Sequence, residues 1–107
     1  MAFKTAFIVM SATPMLQSAT ERRALMSPHE SVEDIMVKLA NMTCSGSSCV
    51  LLATKQDIQE NGANKYISFH RRRMERDGEG PWRVSAGHSW DMSAAEAVQA
   101  LAESSPR

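Results

Sequence analysis

Between Lys65 and Val98 the chain runs through strand-like segments directly into a helix start, and this stretch constrains the fold more than any other. Lys65 to Arg73 places Tyr66, Ile67 and Phe69 in a short run, residue types that suit a pleated surface. Asp77-Gly-Glu-Gly-Pro81 follows as a loop, and Trp82 to Ala86 reads as the next strand. Gly87 can turn the chain before a short further strand from His88 to Met92. Ser93-Ala-Ala-Glu96 is then a capping box, in which the serine hydroxyl and the glutamate carboxylate each satisfy an orphan backbone N–H. The final helix it starts should end near Glu103, with Val98 and Leu101 on its apolar side and residues 104–107 as a frayed tail.

Upstream, residues 3–10 are rich in Phe, Ile and Val and predict a strand buried on both faces. Thr13-Pro14 offers a cap and a first-turn proline for a helix over 14–25, with Met15, Leu16, Ala19 and Leu25 on its apolar side. Ser27-Pro-His-Glu30 is a second capping box, with Ser31 as the alternative cap. Val32, Ile35, Met36, Leu39 and Met42 then fall on one helical face, and Gly46 suits the helix stop. Cys49 to Thr54 is an apolar strand, and Glu60-Asn-Gly-Ala-Asn64 is a turn leading into Lys65. The expected fold is a single α+β domain over 1–107, in the order β-α-α-β-β-β-α. It has an antiparallel sheet of about four strands, with two or three helices packed mainly on one face.

With 107 residues and 43% apolar content the chain can bury one core, and nothing in the composition argues for disorder overall. Its formal charge is zero, but Lys65, Arg71, Arg72, Arg73, Arg76 and Arg83 stand against only Glu75, Asp77 and Glu79 within residues 65–83. The eight methionines are best explained as core filling. The N-terminal apolar run is too short for a secretory leader, and no run approaches the roughly 18 residues of a membrane span. A soluble, cytoplasmic protein without membrane contact is expected.

If Ile67 and Phe69 face the helices, alternation sends Tyr66, His70 and Arg72 to an outer face beside Arg83. Arginine on phosphates and tyrosine or histidine on bases would suit nucleic acid there. The plainer reading is a solvated face whose arginines discourage edge pairing. The candidate partner-binding set is Tyr66, His70, Arg71, Arg72, Arg73, Arg76 and Arg83, with Trp82 and Trp90 as aromatic anchors.

Cys44 and Cys49 have the spacing of half a zinc site that His70 and His88 could complete, but no tight histidine pair exists. Small buried or free thiols are the expectation, a disulfide across Ser-Gly-Ser-Ser is conceivable, and no metal or cofactor is expected. No nucleophile elbow and no phosphate-binding glycine loop occurs, which points away from an enzyme. A triad could still assemble in space from distant residues.

The run from Trp82 to Glu103, through Trp90, Ser93 and Glu96-Ala97, is broadly similar to a small DNA-binding module of phage integrases and plant regulators. That resemblance covers at most a third of the chain. It implies a three-stranded sheet on one helix, with the sheet reading the major groove. The reading adopted is a non-enzymatic binding protein that occupies a protein or nucleoprotein partner as adaptor, regulator or inhibitor. That class includes phage proteins that block host nucleoprotein defence complexes. A nucleic-acid-binding module using strands 65–73 and 82–86 is the alternative.

Overall fold

The computed structural model describes residues 4–13, 22–58 and 64–104, with the side chains of residues 4, 11, 13, 64–67, 101, 103 and 104 set aside. Five strands form one antiparallel sheet in the order β2-β1-β3-β4-β5, from β1 (Lys4–Thr13), β2 (Arg22–Met26), β3 (Ser48–Ile58), β4 (Asn64–Glu75) and β5 (Arg83–Met92). Two helices are present among the described residues, α1 (Val32–Thr43) between β2 and β3, and α2 (Ala94–Ser104) after β5. The α+β class holds, while the order is β-β-α-β-β-β-α.

The largest departure from expectation lies at residues 14–25. Arg22–Met26 is a strand, not the end of a helix, and residues 14–21 lie outside the described part. Its burial alternates at strand period: Ala24 is buried and Met26 packs on the core, while Leu25 between them is exposed. Pairing with the open side of β1 satisfies a row of backbone groups that a helix would leave to water.

The α1 stripe packs as its spacing predicts. Ile35, Met36 and Leu39 are fully buried and Val32 partly, against Phe7, Val9, Cys49, Leu51, Ala53, Met74 and Trp82. Met42, one turn beyond, is exposed. The capping residue is Ser31 and not Ser27: Ser31 Oγ accepts from the Asp34 N–H at 3.1 Å, and Asp34 Oδ2 accepts from the Ser31 N–H. Ser27 and Glu30 instead close the turn before it, where Glu30 N–H donates to Ser27 O.

Both faces of the central sheet are covered. Phe7 and Val9 lie under α1, while Ala6, Ile8, Thr54 and Gln56 on the opposite face are just as buried. α2 packs against β1 and β4 there, with Ala97 as its fully buried residue. The expectation of helices mainly on one face is corrected accordingly. Val98, assigned to the apolar side of α2, is exposed, and the small Ala97 makes the close approach instead. Ser93 caps α2 as expected, its Oγ accepting from the Glu96 N–H at 3.2 Å.

The expected strands over 82–86 and 88–92 are one strand, β5, which begins at Arg83 and leaves Trp82 just outside it, with a fault along its length. Arg72 pairs with Ser89 but Met74 pairs with Val84, so residues 85–88 bow out opposite Arg73. Gly87 supplies the positive φ of +79° that the excursion needs.

Candidate functional site

The face assignment of β4 is the reverse of the one its apolar residues suggest. Residues directly opposite in a sheet share a face, and the register pairs Cys49 with Met74, Leu51 with Arg72 and Ala53 with His70. His70, Arg72 and Met74 therefore point toward α1, and Arg71 and Arg73 point the other way. His70 and Arg72 are both 6% exposed, so neither belongs to an outer face.

Arg72 is accommodated because its donors are used. Its Nε donates to Glu33 Oε1 at 3.2 Å, and its Nη1 donates to Arg71 O and Trp90 O at 2.9 and 2.7 Å. Its Nη2 lies 3.1 Å from Asp91 Oδ1. The two carboxylates sit at the exposed rim, so they stay hydrated while the guanidinium is withdrawn from water.

Asp91 Oδ1 also meets His70 Nδ1 at 2.6 Å, and His70 Nε2 meets Ser68 Oγ at 2.6 Å. Partial burial pushes the Asp91 carboxyl up, but hydrogen bonds from His70 and Arg72, and their charge, outweigh it and hold it below the usual aspartate range. An ionised carboxylate only accepts, so His70 Nδ1 carries the hydrogen in that bond. In the neutral imidazole Nε2 is then the acceptor for the Ser68 hydroxyl. The Phe7 ring, its centroid 5.4 Å from that of His70, walls the imidazole on its core side.

On the other face, Arg71 and Arg73 alternate along β4, with Arg83 across from Glu75 and Trp90 across from Arg71. The Arg71 guanidinium carbon lies 5.0 Å from the Trp90 ring centroid, within cation–π range. Arg71, Arg73, Glu75 and Trp90 are partly exposed and Arg83 is exposed. The strip lies on the sheet face opposite α1, the face on which α2 packs against β1 and β4. Arg83 lies 3.8 Å from the almost fully solvated Asp77, a weak restraint on its direction.

The sequence-derived set thus divides. Arg71, Arg73, Arg83 and Trp90 are brought together. Arg76 sits at the end of the sheet, its Nε donating to Gly46 O at 2.6 Å and its guanidinium 4.4 Å from the Trp82 ring. Trp82 is buried in the core, and the Tyr66 side chain lies outside the described part. Asp91, Ser68 and Glu33 were not singled out by sequence reasoning. The one available signal was the i, i+2 spacing of Ser68 and His70, which puts both on one strand face.

Cys44 and Cys49 are joined by a disulfide, so neither sulfur is a free thiol or a zinc thiolate. No described helix is long and apolar enough to cross a membrane. The chain matches no protein-family model, no curated protein and no solved structure.

Proposed function

We propose that this is a binding protein that works by occupying an acidic surface of a macromolecular partner, with Arg71, Arg73, Arg83 and Trp90 as the contact strip. The observation that carries the reading is the stack of the partly exposed Arg71 on the partly exposed Trp90, on the sheet face opposite α1. Stacking holds the guanidinium in place before the partner arrives, which lowers the ordering cost of binding. Arginine and tryptophan are also the residue types that dominate interface energetics. The partner is a protein or the protein part of a nucleoprotein complex. Glu75 stands among the arginines, and a carboxylate on that line disfavours a continuous phosphate track. Roles as adaptor, regulator or inhibitor, a phage-encoded block on a host defence complex included, are consistent with such a strip and need no catalysis.

The test is an affinity capture from the native host with the natural chain and with an Arg71→Glu/Arg83→Glu variant, each with and without nuclease. A protein retained after nuclease and lost from the variant is the expected result. Equal capture by both chains would remove the strip from consideration. Capture that vanishes with nuclease and weakens steeply with salt would transfer the reading to nucleic acid.

A further inference from the structure

We infer that Ser68, His70 and Asp91 form a nucleophilic relay able to cleave small acyl esters. The geometry is that of a serine–histidine–carboxylate triad in order and in atoms. Ser68 Oγ contacts His70 Nε2 at 2.6 Å, and His70 Nδ1 contacts Asp91 Oδ1 at 2.6 Å. Such a relay is recognised by these roles and not by position in the chain. Three further features set it apart from an ordinary buried hydrogen-bond chain. Arg72 Nη2 holds the same Asp91 oxygen at 3.1 Å, which fixes the carboxylate toward the imidazole. The Phe7 ring confines His70 from the core side. Ser68 itself is partly exposed, as a nucleophile has to be, and so is Lys55, its direct partner across the β3–β4 pair. As direct cross-strand partners, Lys55 and Ser68 share a sheet face, which puts a cationic side chain on the same face as the hydroxyl.

The register skips Ile67, since Lys55 pairs with Ser68 but Gln56 pairs with Tyr66. A bulge beside a strand residue re-aims the neighbouring side chain, and such faults recur next to active sites. Here it stands immediately before Ser68.

In the inferred reaction Ser68 Oγ attacks the ester carbonyl carbon as its proton passes to His70 Nε2. The tetrahedral intermediate collapses when His70 returns that proton to the departing alkoxide, which leaves as the alcohol. Ser68 then carries the acyl group as an ester. Water, deprotonated by His70, attacks that ester, the Ser68 oxygen regains the proton, and the carboxylic acid is released. Asp91 is a positioning residue throughout, keeping the Nδ1 hydrogen in place and balancing the transient imidazolium. The acyl group has to be small, because Phe7 and the sheet close the inner side.

The experiment uses the full chain with a fluorophosphonate probe, which phosphonylates an activated serine hydroxyl, and locates the label by peptide mass spectrometry. One label per chain on Ser68 is expected, abolished in Ser68→Ala and slowed at least about a hundredfold in His70→Gln. Asp91→Asn should slow labelling comparably while Asp91→Glu restores part of it, a pattern that a purely structural aspartate would not give. Near-UV circular dichroism confirms that each variant is folded. If His70→Gln fails to fold, exposed Ser89 in the natural chain serves as the internal reference. Ser68 reacting no faster than Ser89, or labelled equally in folded His70→Gln, would overturn the inference.

Discussion

Glu33 on α1 accepts a hydrogen bond from Arg72 on β4 at 3.2 Å, so the polar tie between helix and sheet runs through an arginine that faces the core. The guanidinium also bonds two main-chain carbonyls, Arg71 O and Trp90 O, and so joins β4 to β5. The same side chain thereby positions α1, the edge strand and Asp91.

Arg72→Ala should therefore destabilise the protein by about 2 kcal/mol, because two carbonyls lose their donor and a packed stem is removed. The loss stays below that of a fully buried ion pair because Glu33 and Asp91 remain hydrated at the rim. Arg71→Ala, which loses only a partly exposed stack on Trp90, should change stability by less than about 1 kcal/mol. Urea midpoints of the two variants check this, and equal midpoints would refute the assignment of Arg72 to the core face.

Asp91 should contribute to the acid sensitivity of the fold. Its carboxyl titrates below the usual range in the folded protein and near the ordinary value of about 3.9 when unfolded. A depressed folded value means that the contribution is present above about pH 4 and is lost as pH falls through the folded value. Because Asp91 is largely exposed, solvent screening keeps the effect small. The stability gap between the natural chain and Asp91→Asn should narrow between about pH 5 and pH 2 in denaturant titrations. A gap that stays constant across that window would contradict it.

The two serines before α1 separate a cap from a turn. Ser31→Ala removes the acceptor for the Asp34 N–H and should lower stability by about 1 kcal/mol. Ser27→Ala leaves the main-chain turn bond to Glu30 intact and should shift it by less than about 0.5 kcal/mol. Thermal unfolding of both variants distinguishes them, and a larger loss at Ser27 would move the helix start upstream.

The elements that were legible in the sequence are those whose signal is local. The α1 stripe, the two-sided burial of Phe7 and Ile8 and the Ser93 cap each depend on a few neighbouring residues, whereas the turn expected at Gly87 is a bulge within one strand. What failed was parity. Phe69 looked like the core side of β4, but both faces of the central sheet are buried, so an apolar residue there does not say which face α1 covers. Met74 did carry the answer, since it shares a face with His70 and Arg72 and is fully buried. Arg22–Met26 was misread because five residues suffice for an edge strand, and edge pairing depends on a partner distant in sequence. Asp91 was invisible for the same reason: its meeting with His70 exists only through the β4–β5 register. Of the expected basic and aromatic residues, Arg71, Arg73, Arg83 and Trp90 share one face, while His70 and Arg72 are buried on the other.

Reduction of the Cys44–Cys49 disulfide is expected to weaken the fold without disturbing the arginine strip. Cys44 is the C-cap of α1 and Cys49 a buried residue of β3, so the bond fixes the exit of the helix against the strand it feeds. With a sequence separation of 5, loop-closure entropy gives a stabilisation of about 2 kcal/mol. Cys49 shares the α1 face with Met74, whereas Arg71 and Arg73 lie on the opposite face. A reductant should therefore lower the urea midpoint of the natural chain and leave that of Cys44→Ala/Cys49→Ala unchanged. Partner capture should be the same for oxidised and reduced protein at temperatures where both are folded. A midpoint indifferent to reductant would mean that the bond does not constrain the unfolded chain. Loss of capture on reduction would mean that the α1 face, and not the arginine strip, meets the partner.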